Sequence, residues 1–278
     1  ERERASRQAS LVQLRDDANA TAGRVLQAAL YGDKHPYGFS DLGTEAAIKA
    51  VKREDLQALW RTIFVPNNAA LVVAGNISGD ELKTLAEKYF GAWKSGVLPE
   101  RKTSSPISTK AKLVLVDKPG APQTAIRVAT LGPARTTPDY EKIQVMNAAL
   151  GGTFTSRINN NLREEKGYSY GVYSGMLYQR QSGTFAVRGS VRTDVTTPAL
   201  QEVFKEIKGI SANPPDAKEL SRAIGSQMLS LPGQFDTGAA TAGAFASLFT
   251  NDFPLDYYSK IPQRFGAVTQ TELIDMAK

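Results

Sequence analysis

Few residue types in this 278-residue sequence can do covalent or metal chemistry, because it holds no cysteine and a single histidine, His35. A thiol nucleophile, a thiolate metal site and a disulfide are therefore excluded. A zinc site normally takes several His, Cys or carboxylate ligands, and a Ser-His-Asp triad would have to use this one imidazole. His35 lies in a proline- and glycine-rich turn, residues 31–38, and reads as a structural turn residue rather than a ligand. The most individual segment is residues 155–171, Thr-Ser-Arg-Ile-Asn-Asn-Asn-Leu-Arg-Glu-Glu-Lys-Gly-Tyr-Ser-Tyr-Gly, with Arg157, Arg163, Tyr168 and Tyr170. On spacing alone it is a helix bearing two arginines, stopped by Gly167 and turning into a strand that puts Tyr168 and Tyr170 on one face. That pattern also fits a plain helix–strand connection with solvated arginines.

The elements that must position this corner follow from periodicity. Phe154, Ile158 and Leu162 give the helix an i, i+4, i+8 apolar face. Before it, a helix begins at Thr137-Pro138, where proline's missing N–H does no harm, and its expected buried stripe is Tyr140, Ile143, Met146 and Leu150. Strands are expected at 112–117, 123–131, 169–178 and 184–191, the last two as an antiparallel pair around residues 181–183. An amphipathic helix follows with Leu200, Val203, Phe204, Ile207 and Ile210. Towards the N-terminus, residues 11–30 read as one helix and 53–64 as another, and 69–74 as a compact strand. Ser78 and Glu81 form a capping-box pattern that opens a helix ending near Trp93. Strands and helices come in blocks rather than strict alternation, so the fold class is α+β.

Composition narrows the partners. The net charge is +6, but acidic residues interleave with basic ones and no block of five or six like charges occurs, which argues against nucleic acid. The longest apolar runs fall far short of the roughly 18 to 20 residues that cross a bilayer. No signal-peptide pattern opens the sequence.

The chain also repeats itself. Ala50, Val51 and Leu56 match Ala267, Val268 and Leu273, and Leu30 and Pro36 match Leu248 and Pro254 after a one-residue shift. Each copy reads helix, turn with proline, short helix, Ala-Val, helix. The first copy enters without the strands that the second has at 112–191, and the second stops inside a helix. The expected organisation is therefore the later part of a first α+β repeat domain over 1–93, a linker at 94–109 and a second repeat domain over 110–278, with the sequence truncated at both ends.

Leu162-Arg-Glu-Glu-Lys-Gly-x-x-Tyr170, preceded by Ser156-Arg157, resembles a motif of the pitrilysin/insulinase zinc metallopeptidases, the family of the mitochondrial processing peptidases. Tyr31-Gly-x-x-His-Pro-Tyr-Gly38, Gly43-Thr44, Pro66-x-Asn68-Ala69 with its valine-rich strand, and Phe90-Gly-x-Trp93 resemble that family in the same order. The resemblance implies two similar α+β domains forming one half of a clamshell. It implies catalysis by a zinc held through an inverted H-x-x-E-H helix and a downstream Glu, with the facing half giving an arginine and a tyrosine, seven residues apart, to the substrate carbonyl. By position these are Arg163 and Tyr170. Arg157 is open to two roles, substrate binding or stabilising the corner. The sequence has no H-x-x-E-H, and the third-ligand position, seven residues after Glu3, is Ser10.

The expectation is thus a non-catalytic half of a pitrilysin-type zinc endopeptidase, inactive alone and without a metal of its own. Zinc would sit on a homologous partner half, fused or separate, and the substrate would be an unfolded polypeptide added as a strand at a sheet edge. The rival is a family member without proteolysis that serves as a structural or peptide-binding subunit, and a third reading is an unrelated binding module. A bacterial periplasm or cell envelope suits the lack of cysteine, with the cytoplasm possible.

Overall fold

The computed structural model describes residues 1–100 and 110–277. The 101–109 part of the expected linker lies outside the described residues. The alternating apolar residues of β1 (Gln123–Gly132), β2 (Val172–Tyr178) and β3 (Gly183–Arg192) build one antiparallel sheet in the order β1-β3-β2. Register places Ile126 opposite Gly189 and Gly189 opposite Val172. A Cβ at Gly189 would come within 2.8 Å of Val172, so only glycine lets these strands close up on the core side.

That side is covered by three helical pieces. The first is α6 (Tyr140–Asn147), continued by a π-helical turn at Ala148–Gly152. The second is α7 (Arg157–Asn159), continued by another at Asn160–Glu165, and the third is α8 (Thr196–Ala212). Ile158, Leu162, Val172, Val187, Val191 and Val203 are wholly buried between sheet and helices, each contributing about 2 kcal/mol through the apolar area removed from water. Of the expected stripe Leu150 is buried and Tyr140, Ile143 and Met146 are half-buried, while Val145, Ala148 and Ala149 are buried beside them.

A second core lies behind α6. It is closed by α9 (Ala217–Ser230), α10 (Gly238–Asn251), α11 (Tyr257–Gly266) and α12 (Gln270–Met276), and Leu248, Ile261, Phe265 and Leu273 meet Val145 there. The opposite face of the sheet carries α2 (Ala18–Tyr31). Its fully buried Tyr31 hydroxyl lies 2.8 Å from Ser182 Oγ, 3.0 Å from the Gly183 carbonyl and 3.0 Å from Thr184 Oγ1.

Three expectations change. Residues 11–30 are not one helix: α1 (Arg2–Asp16) ends at Asp17, whose extended backbone and Oδ1, accepting from the N–H of Asn19 and Ala20, start α2 anew. The stretches 69–74 and 112–117 join no sheet among the described residues. A strand needs a ladder partner, and Leu71, Leu113 and Leu115 are instead exposed. Finally, the amphipathic face of α4 (Arg53–Ile63) is open, with Leu56, Leu59 and Trp60 exposed, whereas Leu273, at the equivalent repeat position, is wholly buried. One local feature recurs at matched positions. The Lys52 N–H donates to Asp55 at the start of α4, and the Thr269 N–H donates to Glu272 at the start of α12, both from the matching position.

Candidate functional site

The corner between α7 and β2 is fixed by its own asparagines. Asn159, fully buried, donates from Nδ2 to the Phe154 carbonyl (2.7 Å) and accepts at Oδ1 from the Val172 N–H (3.2 Å), tying the helix start to the strand start. Asn161 donates to Glu202 (2.8 Å) and Glu206 (2.6 Å) on α8. The π turn closes with the Lys166 N–H on the Asn161 carbonyl, and Gly167 reverses the chain at φ +63°, a conformation that favours glycine. Ser169 then donates to the Ser190 carbonyl (2.6 Å) and accepts from the Gly171 N–H (3.0 Å). Tyr170 is thus held by backbone braces on both sides, not by its own ring.

Its side chain is 90% exposed, and among the described residues its hydroxyl has no hydrogen-bond partner. It lines an open cleft of about 430 Å³ together with Asn19, Arg127, Tyr173, Arg188 and Ser190. Arg163 is not in that lining. Its guanidinium stacks on Phe154, 4.2 Å from the ring centre; Phe154 lies in the turn before α7 and is exposed, so the expected apolar face begins only at Ile158. Arg163 Nη1 lies 3.4 Å from Glu164 Oε1, in ion-pair range but without hydrogen-bond geometry, so this shielded donor has no acceptor among the described residues.

Arg157 is differently placed. Its Nε and Nη2 form a fork onto Glu219 (2.9 and 2.6 Å), and its Nη1 donates to the Asn213 carbonyl (2.6 Å). The fork holds α7 to the start of α9, where Glu219 also closes the capping box with Asp216, and Nη1 holds it to the end of α8. The Arg157 hydrogen bonds hold the Glu219 carboxyl below its ordinary value of 4.5. Stability from this pair is therefore complete above the ordinary carboxylate range and disappears as pH falls through the lowered value. Arg157→Ala is expected to cost about 2 to 3 kcal/mol in urea unfolding at pH 7, because it strands a half-buried carboxylate. At pH 3 the difference from the unsubstituted chain should shrink; an undiminished difference there would show that the ion pair is not its source.

His35 accepts the Tyr37 N–H at Nδ1 (3.0 Å), starts the helical turn Pro36–Gly38 and packs between Tyr31 and Tyr37. Ser10 donates to the Ser6 carbonyl within α1. No group of three or more His, Asp or Glu able to hold a metal ion occurs among the described residues. The described residues therefore offer no ligand set for zinc.

Sequence reasoning missed the arginines of the cleft. Arg127 and Arg188 each interrupt an apolar strand, but only the register shows that they face one another.

The family model described as the peptidase M16 inactive domain matches residues 50–226. This chain belongs to that family. An uncharacterized zinc protease of Mycobacterium leprae is 28% identical over 214 residues, covering 76% of this chain and 48% of that protein. A non-peptidase homologue of Helicobacter pylori is 24% identical over 277 residues, covering 97% of this chain and 62% of that protein. The chain thus spans about half the length of the first of these and under two thirds of the second. The crystal structure of a peptidase M16 inactive domain from Pseudomonas fluorescens has the same fold, with TM-score 0.90 and 24% identity over 99% of this chain and 65% of that one. The M16 inactive domain described here is α+β, and among its described residues no helix is long and apolar enough to cross a membrane.

Proposed function

We propose that this M16 inactive domain is the substrate-binding, non-catalytic half of a zinc endopeptidase, in which Arg163 and Tyr170 bind the substrate carbonyl opposite a zinc held by a homologous half. The supporting observation is that Tyr170 presents a hydroxyl without a partner among the described residues, on a corner braced through Asn159, Ser169 and Gly167. Arg163, on the π turn just before it, offers a shielded donor with no acceptor among the described residues. Preformed donors of this kind favour the charge that develops on a carbonyl oxygen during attack, since no reorganisation is needed when it forms. Arg157, with its nitrogens taken by Glu219 and Asn213, is a stabiliser of the corner in this reading.

The organisation goes with it: residues 1–93 are the later part of one repeat, 94–109 the linker, and 110–278 the second repeat. This division follows the sequence repeat and not the packing, because α2 lies on the sheet of the second repeat. The polypeptide substrate and a bacterial envelope or periplasmic location belong to the same proposal.

A second reading, a proteolytically inactive peptide-binding or structural subunit, draws on the placement of Arg163 on Phe154 rather than in the cleft with Tyr170. Substitution of Tyr170 and of Arg163 in the reconstituted peptidase, followed by turnover, separates the two.

A further inference from the structure

The cleft beside Tyr170 has a cationic floor. Register sets Arg127 of β1 opposite Arg188 of β3, and Arg188 opposite Tyr173 of β2, so the three side chains leave the sheet on one face in a row across the strands. Directly opposed like charges destabilise a sheet. Here the repulsion is not relieved, since neither guanidinium has an ion-pair partner among the described residues. The neighbouring Arg192 does, lying 3.2 Å from Asp194. Asp17, the acid whose charge acts on Arg127, has its Oδ1 turned to the free amides at the start of α2.

The two arginines differ in freedom. Arg127 is half-buried and fixed: Nη1 donates to the Ile126 carbonyl (2.7 Å), and Nη2 to the carbonyl and Oδ1 of Asn19 (3.1 and 3.0 Å). Burial, and then the charge of Arg188, lower its pKa against the opposing charge of Asp17. Arg188 is exposed and, among the described residues, makes no hydrogen bond. The remaining lining is neutral and rich in hydroxyls, with Ser169, Ser190 and Tyr173. Tyr173 folds its ring over Gly171, where a Cβ would meet the ring at 2.7 Å, so the glycine leaves the tyrosine room to lie along the cleft wall.

We infer that this cleft is a subsite for the carboxylate side chain of a bound polypeptide, with Arg188 as the contacting fork and Arg127 as a fixed cation beneath it. An open row of side chains running across to edge strands that have no further strand partner among the described residues suits a carboxylate carried on an extended chain. An arginine fork also accepts phosphate, and the competition arm of the test separates the two anions. The inference rests on the proposed role of Tyr170, which lines the same cleft: an Asp or Glu seated on Arg188 would lie within a few residues of the carbonyl that Tyr170 holds. Peptides with an acidic residue near the scissile bond are then the favoured substrate class.

The test uses two short fluorescent peptides, otherwise uncharged, that carry either Glu or Gln at the centre, titrated against the chain at low salt and followed by anisotropy. The Glu peptide should bind about tenfold more tightly, the scale of a fork of charge-assisted hydrogen bonds. Arg188→Gln should reduce that ratio to near one, and Arg188→Lys should leave an intermediate ratio. Arg188→Gln removes an exposed, repelling charge, so its thermal midpoint should equal or exceed that of the unsubstituted chain. Equal binding of the two peptides, a ratio unmoved by Arg188→Gln, or displacement of the Glu peptide by inorganic phosphate more readily than by glutarate would each overturn the assignment. The Tyr170 reading is judged separately, by turnover of the Gln peptide in the reconstituted peptidase, which does not depend on the charge preference.

Discussion

Tyr170→Phe, in the protein combined with a zinc-bearing half, is expected to lower kcat by about ten- to a thousand-fold, the scale for losing one oxyanion donor, with little change in KM. The reason for so clean a result is structural. The Tyr170 side chain is 90% exposed and its hydroxyl has no partner among the described residues, so its removal subtracts nothing from the fold. Thermal unfolding should coincide with that of the unsubstituted chain. Arg163→Ala should lower turnover on a similar scale, but with a small loss of stability as well, because the guanidinium also stacks on Phe154. Arg163→Lys keeps the charge and loses the planar fork, so it should rescue only part of the rate. Turnover unaffected by both Tyr170→Phe and Arg163→Ala would remove the carbonyl-binding role and leave the structural-subunit reading in its place.

The largest loss of stability is expected at Arg135, far from that corner. Its guanidinium lies 3.6 Å from the ring centre of Tyr140, 4.9 Å from that of Phe253 and 5.4 Å from that of Tyr257, and Nη2 donates to the Tyr257 hydroxyl (2.8 Å). The Arg135 N–H is also bonded to the Gln179 carbonyl, at the end of β2. Residue 135 thus joins the β1–α6 connection to the tip of the β2–β3 hairpin through its backbone and to the start of α11 through its side chain. Burial raises the pKa of both Tyr140 and Tyr178 around it, so these phenols stay neutral and present ring faces to the cation. Arg135→Ala removes several cation–ring contacts and a hydrogen bond and leaves a hole among four rings. A loss of about 3 kcal/mol is expected, a fall of roughly 5 to 10 °C in Tm. Arg135→Lys should lose about half as much. A fall below about 1 °C for Arg135→Ala would show that the aromatic cluster holds itself together.

How much of this was readable from the chain depends on the range of the interaction. Gly167 stops the helix where spacing puts the stop, because a positive φ is a local property of one residue. The capping interactions at Asp55 and Glu272 are likewise local, and they recur at matched positions. Asp17 escaped notice: acidic and helix-compatible residues surround it, and only its bond to the amides at 19 and 20 marks it as a cap. The π turns escaped too, since an inserted residue alters phase without altering composition. Residues 69–74 and 112–117 have strand-like sequences, yet pairing is a property of two segments and among the described residues they have no partner. Arg157 has two roles open to it in the sequence because its partner, Glu219, lies 62 residues away, and Arg127 and Arg188 acquire meaning only from the register that opposes them.

The most direct test of the central claim is to measure bound zinc and peptide turnover for the protein carrying this chain, for the homologous half carrying H-x-x-E-H, and for the two combined. The account predicts one zinc per pair, all of it on the homologous half, and cleavage of a quenched fluorescent peptide that appears on combination and is negligible for either half alone. Stoichiometric zinc on this chain, or a homologous half that cleaves as fast alone as in combination, would contradict it.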